Sequence, residues 1–529
     1  MNKICPVLVA ALVAATASAA EEAPARAGRD AHGRSQRPNI IFLLTDDQRD
    51  NSFGAMGHPF VKTPNVDRLL EQSVRFSNTY IAEPTCSPSR AALFTGMHER
   101  VNGIGFTSSY QLTQSQWERT YPALVRKAGY HTGFIGKFGV EYYTFKGQAA
   151  RQFDFWGAHD GWTRFFPKDS KGPSCTPYHE AKGDVITFIM GERIAEFFES
   201  LPNDKPFCLS VSFNVPHGSQ TTSMYPDYPD WRRMTRPANE NPKLKGSPFY
   251  DTLYRDVEIR IPGETATDPY RFIPKFIMDQ DKGRRTQTYP YDYTRLTCLE
   301  HHIRYYQTIT GLDHVIGRLL ADLEHRHLAE STVIIFASDH GLLMGEYGMG
   351  GKALLYDLAS KIPCFVYDPH LPADRRGRQL EELASSLDVT KTILDYAGVA
   401  APDFMAGESL RPLVEGKDVP WRDELFLENL YTGRDTPFQE GVRFGKWKYI
   451  RMYDGKTGYV ESDVDFSNRK PDFEMLFDLE ADPGERDNLV ESHADSEILA
   501  TLRGKCAAHS RSLNEQRQSF KNTVEVQNR

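Results

Sequence analysis

RPNIIFLLTDDQ, residues 37–48, sets five consecutive apolar side chains, Ile40 to Leu44, just before a pair of acids, Asp46 and Asp47. An unbroken apolar run of this length is the pattern of a strand covered on both faces, as in a parallel sheet. Three further runs have the same form. HTGFI (131–135) is followed by Gly136-Lys137, FCLSVSF (207–213) by Asn214-Val215-Pro216-His217, and TVIIFA (332–337) by Ser338-Asp339-His340-Gly341. Helical patterns lie between the runs, a clear one at residues 299–325. Strands alternating with helices predict an α/β fold with a large, mostly parallel central sheet. In such sheets chemistry gathers beyond the carboxyl ends of the strands, and all four runs end there in charged or metal-capable residues.

The alternation breaks at Ser219. Residues 219–295 are rich in Pro, Tyr, Arg and Asp and predict a functional loop insertion. Beyond about residue 415, GVRFGKWKYIRMY and FEMLFDLEADPGERDNL read as short antiparallel strands, with a terminal helix from about Ser496. The expected organisation is a catalytic domain over 38–415, carrying a substrate loop at 219–295, and a smaller C-terminal subdomain over 416–529 with a short antiparallel sheet. At the other end, Lys3, the apolar run Val7–Ala15 and the small residues Ala17-Ser18-Ala19 suit a cleaved signal peptide over 1–19. A polar tether, 20–37, follows, and the run is too short to span a bilayer. A periplasmic or secreted protein without a membrane span is expected.

The formal net charge of −8 argues against a nucleic-acid partner held through phosphates, though a pocket can be locally basic on an acidic protein. Seven cysteines become six once the leader is removed, and they are scattered without CxxC spacing, which disfavours zinc clusters and thioredoxin-like chemistry. Cys208 and Cys364 sit inside apolar runs and read as buried hydrophobes. Cys86, in EPTCSPSRAALFTGM (83–97), has polar, turn-forming neighbours instead. Ser87-Pro88 suits a helix start, which puts Cys86 at a helix N-terminus, a place that favours an anion. A disulfide half, a metal ligand and a thiolate nucleophile are all open at this point.

Asp46-Asp47 and Asp339-His340 are more telling together than apart. Adjacent acids at a buried strand end resist desolvation unless a cation compensates, and two such pairs suggest one hard-cation site rich in oxygen ligands. His340 either ligates or supports it. Lys137, Arg90 and Lys352, the last in the glycine-rich GEYGMGGKALLYD, mark an oxyanion site if they converge on it. His217 is an acid–base candidate. A thiolate beside Asp46, Asp47 and Asp339 sits poorly with a hard cation, unless its sulfur is replaced in the mature protein.

CSPSRAALFTG, from Cys86, resembles the signature of the type I sulfatases, formylglycine-dependent members of the alkaline-phosphatase-like superfamily. RPNIIFLLTDDQ, GYHTGFIGKFG, VPHGS, SDHG, GKALLYD and LFDLEADPGERDNL resemble further family segments, so the likeness runs over almost the whole mature chain. It implies an alkaline-phosphatase-like sandwich and a Cα-formylglycine made from Cys86 by a separate maturation enzyme. Asp46, Asp47, position 86, Asp339 and His340 would hold calcium, with magnesium also open. Attack of the hydrated aldehyde on sulfur would be aided by Arg90, Lys137 and Lys352, and His217 would protonate the leaving oxygen. Two departures stand out: Gly139 occupies the place of a common family histidine, and His340 that of a common asparagine.

Export and the insertion's aromatic and arginine residues point to a sulfated carbohydrate substrate. Arg232 and Arg233, with Arg236, Arg285 and Arg295, are candidates to bind neighbouring sulfates or carboxylates. The competing readings are a phosphoryl hydrolase of the same superfamily and a non-catalytic binder of sulfated glycans.

Overall fold

The structure is a computed structural model that describes residues 37–106, 112–140, 149–224, 247–261, 272–280, 295–433, 436–454, 464–466 and 468–527. The expected leader lies outside the described residues, as do all but the last residue of the tether, much of the 219–295 insertion, Arg232, Arg233, Arg236 and Arg285, and the side chain of Arg295.

Ten strands matter to the main body: β1 (Asn39–Thr45), β2 (Val74–Tyr80), β3 (His131–Lys137), β4 (Phe155–His159), β5 (Phe207–Ser212), β6 (Thr332–Ser338), the short pair β7 (Leu343–Met344) and β8 (Gly350–Gly351), β9 (Cys364–Tyr367) and β10 (Gln379–Ser385). Eight of them form one sheet in the order β10-β2-β9-β6-β1-β5-β3-β4. All pairings are parallel except those of β9 with β2 and β6.

Side chains alternate across a strand, so a run apolar at every position must find cover on both faces. It does. Ile40, Phe42 and Leu44 of β1 join one core with Phe94, Tyr121 and Phe134, while Ile41 and Leu43 join a second with Ile189, Phe197 and Ile316. The second core is roofed by the helices Ile186–Glu199 and Arg295–His325, the latter starting four residues before the sequence reading placed it. Four more strands, β11 (Glu424–Asn429), β12 (Phe438–Phe444), β13 (Trp447–Tyr453) and β14 (Phe473–Asp478), make a separate antiparallel sheet, and the helix Glu497–Gln527 follows. Both were expected from the sequence.

The small sheet is tied to the segment that follows Cys86 by buried charge. Arg100 Nε donates to Glu428 on β11 at 2.9 Å and Nη2 to Glu440 on β12 at 2.7 Å, all three side chains being fully buried. The described residues from Arg37 onward accordingly form one compact unit. No helix among the described residues is long and apolar enough to cross a membrane.

Candidate active site

The carboxyl ends of β6, β1, β5 and β3, adjacent in the sheet, bring Asp339, Asp46, His217 and Lys137 to one edge. Cys86 reaches the same place from the loop after β2. It is the first residue of the helix Cys86–Thr95, with Thr85 as the N-cap in an extended conformation. The helix therefore begins earlier than the Ser87-Pro88 start expected from sequence. The Ser89 amide donates to the Thr85 carbonyl at 3.0 Å and closes the first turn. Pro88 fits there because the amides of a first turn need no partner within the helix. Cys86 is 2% exposed, and Lys352 Nζ lies 3.8 Å from its Sγ. Burial pushes the thiol up, but Lys137 and Lys352 outweigh it and bring the pKa to about 7. The six cysteines from Cys86 to Cys506 are all buried, and none of them forms a disulfide.

Arg90, one turn along the helix, points inward and is 1% exposed. Its Nε and Nη2 donate to Asp339 Oδ2 at 3.0 and 2.9 Å, and Nη1 donates to the Lys137 carbonyl at 2.9 Å and to Ser212. One guanidinium thus joins the helix Cys86–Thr95 to the ends of β3, β5 and β6. Its donors are directed at protein acceptors, which makes Arg90 a strut for the site.

Lys137 Nζ is 2.6 Å from Asp46 Oδ2, and Lys352 Nζ is 2.7 Å from Asp47 Oδ1. Lys352 arrives on the loop after β8, where Gly351 has φ +96°, a backbone state that L side chains rarely adopt. Three buried carboxylates, Asp46, Asp47 and Asp339, face three buried cations, Arg90, Lys137 and Lys352. Burial alone would raise the carboxyl of Asp46, but Lys137, His217, Arg90 and Lys352 hold it well below the usual range.

The cation-site expectation can be tested on donor chemistry. Asp46, Asp47 and His340 each offer a ligand atom, all within 4.8 Å of one another. Asp46 Oδ1, Asp47 Oδ2 and His340 Nε2 are buried and carry no hydrogen bond. His340 Nδ1 lies 2.9 Å from the Gly341 carbonyl, so a proton there leaves the Nε2 lone pair free. Asp339 Oδ1 stands 3.4 Å from that nitrogen. Orphaned oxygens and one imidazole lone pair in a buried site fit a divalent cation.

His217 caps the helix Gly218–Ser223, its Nδ1 accepting the Ser219 amide at 3.0 Å. The neutral ring therefore carries its proton on Nε2, which lies 3.8 Å from Asp47 Oδ2. Burial pulls its pKa down to about 4, with Lys352 and Lys137 adding to that against Asp46 and Asp47. Near pH 7 the ring is a neutral Nε2–H donor facing the site.

Gly139 has φ +74°, and a Cβ there would lie 2.7 Å from Arg90 Cδ. The room that a histidine would need is filled by the strut. Gly139→His is expected to lower stability by about 1–3 kcal/mol and to reduce activity, because it combines backbone strain with a displaced Arg90. Thermal unfolding and turnover of the purified variant check this, and a gain in turnover would contradict it.

Two groups at this edge were missed in the sequence. His159, the last residue of β4, pairs in register with Lys137, sits beside Tyr178, and has Nε2 3.2 Å from Asn214 Nδ2. Burial and the nearby Lys137 and Arg90 take its pKa to about 3. FWGAH (155–159) ends an apolar run in a histidine, the same signal that marked the other strands. Trp162 lies just beyond, and nothing in the sequence marks it.

A charge-balanced pocket with a metal-capable edge and a residue at a helix N-terminus suits hydrolysis of an ester of a tetrahedral oxyanion. The relatives narrow that class. The family model Sulfatase matches residues 38–399, and that of the C-terminal region of N-sulphoglucosamine sulphohydrolase matches 345–512. The chain belongs to the sulfatase family and is a sulfuric ester hydrolase. It is 27% identical to an arylsulfatase of Clostridium perfringens, over 88% of this chain and 93% of that protein. It is 26% identical to an N-acetylglucosamine-6-O-sulfatase of Bacteroides thetaiotaomicron, over 86% and 83% of the two chains. A choline-sulfatase of Rhizobium meliloti is 27% identical over 89% and 87%. A solved protein in complex with its substrate D-glucosamine-2-N,6-O-disulfate has the same fold, with a TM-score of 0.62 at 22% identity over 92% of this chain and 98% of that one. The phosphonate monoester hydrolase of Agrobacterium radiobacter shares the fold too, with a TM-score of 0.64 at 19% identity over 91% and 96%.

Proposed function

We propose that the chain is an exported, periplasmic or secreted sulfatase that removes sulfate from carbohydrate esters and works only after a maturation enzyme has converted Cys86 to Cα-formylglycine. The observation that carries this reading is the setting of Cys86: a buried helix N-terminus, with Lys352 at 3.8 Å and a hard-cation donor set alongside. A thiolate is a poor companion for such a donor set, and an oxygen nucleophile a good one. The hydrated aldehyde supplies two hydroxyls on one carbon, one to attack sulfur and one to release the sulfate. Asp46, Asp47 and His340, with Asp339 beside them, would hold calcium or magnesium, which supplies positive charge toward the oxyanion.

The residues of the chain do the rest. Lys137 and Lys352, now paired with Asp46 and Asp47, face the same centre, and a bound divalent cation would add positive charge there for an anionic ester and for the charge that develops in the transition state. His217 Nε2–H hydrogen-bonds the departing alcohol oxygen, and a ring that has taken up a second proton passes one to it and returns to the neutral form. Arg90 keeps the helix, the cation ligands and Lys137 in register. We also infer that residues 38–415 form the catalytic part and 416–529 a supporting subdomain. N-acetylglucosamine-6-O-sulfatase and ulvan-active sulfatases among the relatives favour a sugar substrate.

Sulfate release from p-nitrophenyl sulfate and N-acetylglucosamine 6-sulfate, by protein co-produced with a maturation enzyme, tests this reading. His217→Gln is expected to lower kcat on the sugar sulfate by about 10²–10⁴-fold and on the aryl sulfate by far less, because nitrophenolate leaves without a proton. Equal losses on both would remove His217 from the proton-donor role. Faster turnover of a phosphonate monoester than of any sulfate would favour the phosphoryl-type reading.

A further inference from the structure

We propose that Trp162 is the platform on which the sugar ring carrying the scissile sulfate lies. The inference rests on the carbohydrate reading and gives it a residue. Trp162 is 56% exposed and is the one large exposed hydrophobic side chain among the described residues. A single apolar side chain at a surface needs no explanation in general, but this one has a specific place. Its ring lies 6.2 Å from that of His217 and within 19° of parallel to it.

The backbone that presents it is held on both sides. Gly161 turns the chain after β4 with φ +70°. Ser174 Oγ donates to the Trp162 carbonyl at 2.6 Å. Next in sequence, Thr163 is buried, and its carbonyl and hydroxyl accept from the Gln220 amide at 2.7 and 3.1 Å. Gln220 belongs to the same short helix that His217 caps. His217 and Trp162 are therefore fixed to one framework, with about half of Trp162 left to solvent (56%).

An alcohol oxygen that takes the Nε2 proton of His217 belongs to a group running along the imidazole toward the indole. A pyranose suits that place, because its C–H face is flat, apolar and of similar size to the indole, and large aromatic faces at an anchored position contribute strongly to binding. A quaternary ammonium is the competing guest for an aromatic face. It is best enclosed by several rings, whereas Trp162 is the one large exposed hydrophobic side chain among the described residues.

The test compares wild type, Trp162→Ala and Trp162→Phe on monosulfated hexoses and hexosamines, choline sulfate and a short alkyl sulfate. Trp162→Ala is expected to raise KM for the sugar sulfates by ~10-fold or more with kcat nearly unchanged, and to leave the alkyl sulfate unaffected. Trp162→Phe should recover most of the loss. In Cys86→Ala protein, which cannot turn over, the preferred sugar sulfate should change tryptophan fluorescence, and the further change Trp162→Phe should remove that response. Wild type that hydrolyses sugar sulfates while Trp162→Ala shows an unchanged KM would overturn the platform alone. A larger loss on choline sulfate than on any sugar would overturn the ring-stacking assignment. Wild type that is active on other sulfates but on no sugar sulfate would remove the carbohydrate reading, and the platform with it.

Discussion

Cys86→Ala is expected to abolish sulfate ester hydrolysis, with a loss of about 10³-fold or more, while the protein stays folded. Alanine fits the space of the buried thiol, and the helix Cys86–Thr95 keeps its N-cap at Thr85 and its first-turn hydrogen bond from Ser89. No backbone feature depends on the sulfur. Cys86→Ser is the sharper variant, since it puts a hydroxyl at the same point. A lone hydroxyl can attack sulfur once, but it lacks the second hydroxyl through which the enzyme would regenerate. Serine protein is expected to give at most a single turnover, read as a burst of product that stops at one equivalent or less. Sustained turnover by Cys86→Ala would contradict the role given to this position.

Arg90→Met should be nearly as damaging, for a different reason. The guanidinium is 1% exposed and joins Asp339, the Lys137 carbonyl and Ser212. Methionine preserves bulk but leaves Asp339 and Asp46 buried beside each other with one cation fewer. Removing one partner of a buried ion pair typically costs about 3–5 kcal/mol. The variant is expected to unfold at a clearly lower temperature and to lose about 10²-fold or more in kcat as the acids and Lys137 shift. Arg90→Lys should rescue little, because an ammonium cannot reach Asp339, a carbonyl and a hydroxyl from one planar fork. Thermal unfolding measured alongside kcat checks both effects. A variant with wild-type stability and turnover would show that the strut is dispensable.

What the sequence revealed and what it hid have a common physical cause. β1, β3, β5 and β6 lie inside the sheet, covered on both faces, so their burial is written as apolar runs, and the residues just past them mark the site. β10 and β4 are edges. QLEELAS is broken by Glu381 and Glu382 and has no run to read, whereas FWGAH is a run of only five residues that ends in the same strand-end signal, His159. The helix Cys86–Thr95 starts earlier than Ser87-Pro88 suggests because Pro88 is equally at home anywhere in a first turn. The closeness of Gly139 to Arg90 and the alignment of Trp162 with His217 exist only in three dimensions. Arg90 itself was legible as a site residue, but its engagement with Asp339 and Ser212 was not.

The central claim is that position 86 is not a cysteine in the working enzyme. The direct measurement is the mass of the tryptic peptide Phe76–Arg90 from protein purified from its native host, before and after treatment with a hydrazide. The expected peptide carries an aldehyde in place of the thiol and forms a hydrazone. An intact thiol at position 86, in protein that nonetheless turns over sulfate esters, would contradict it.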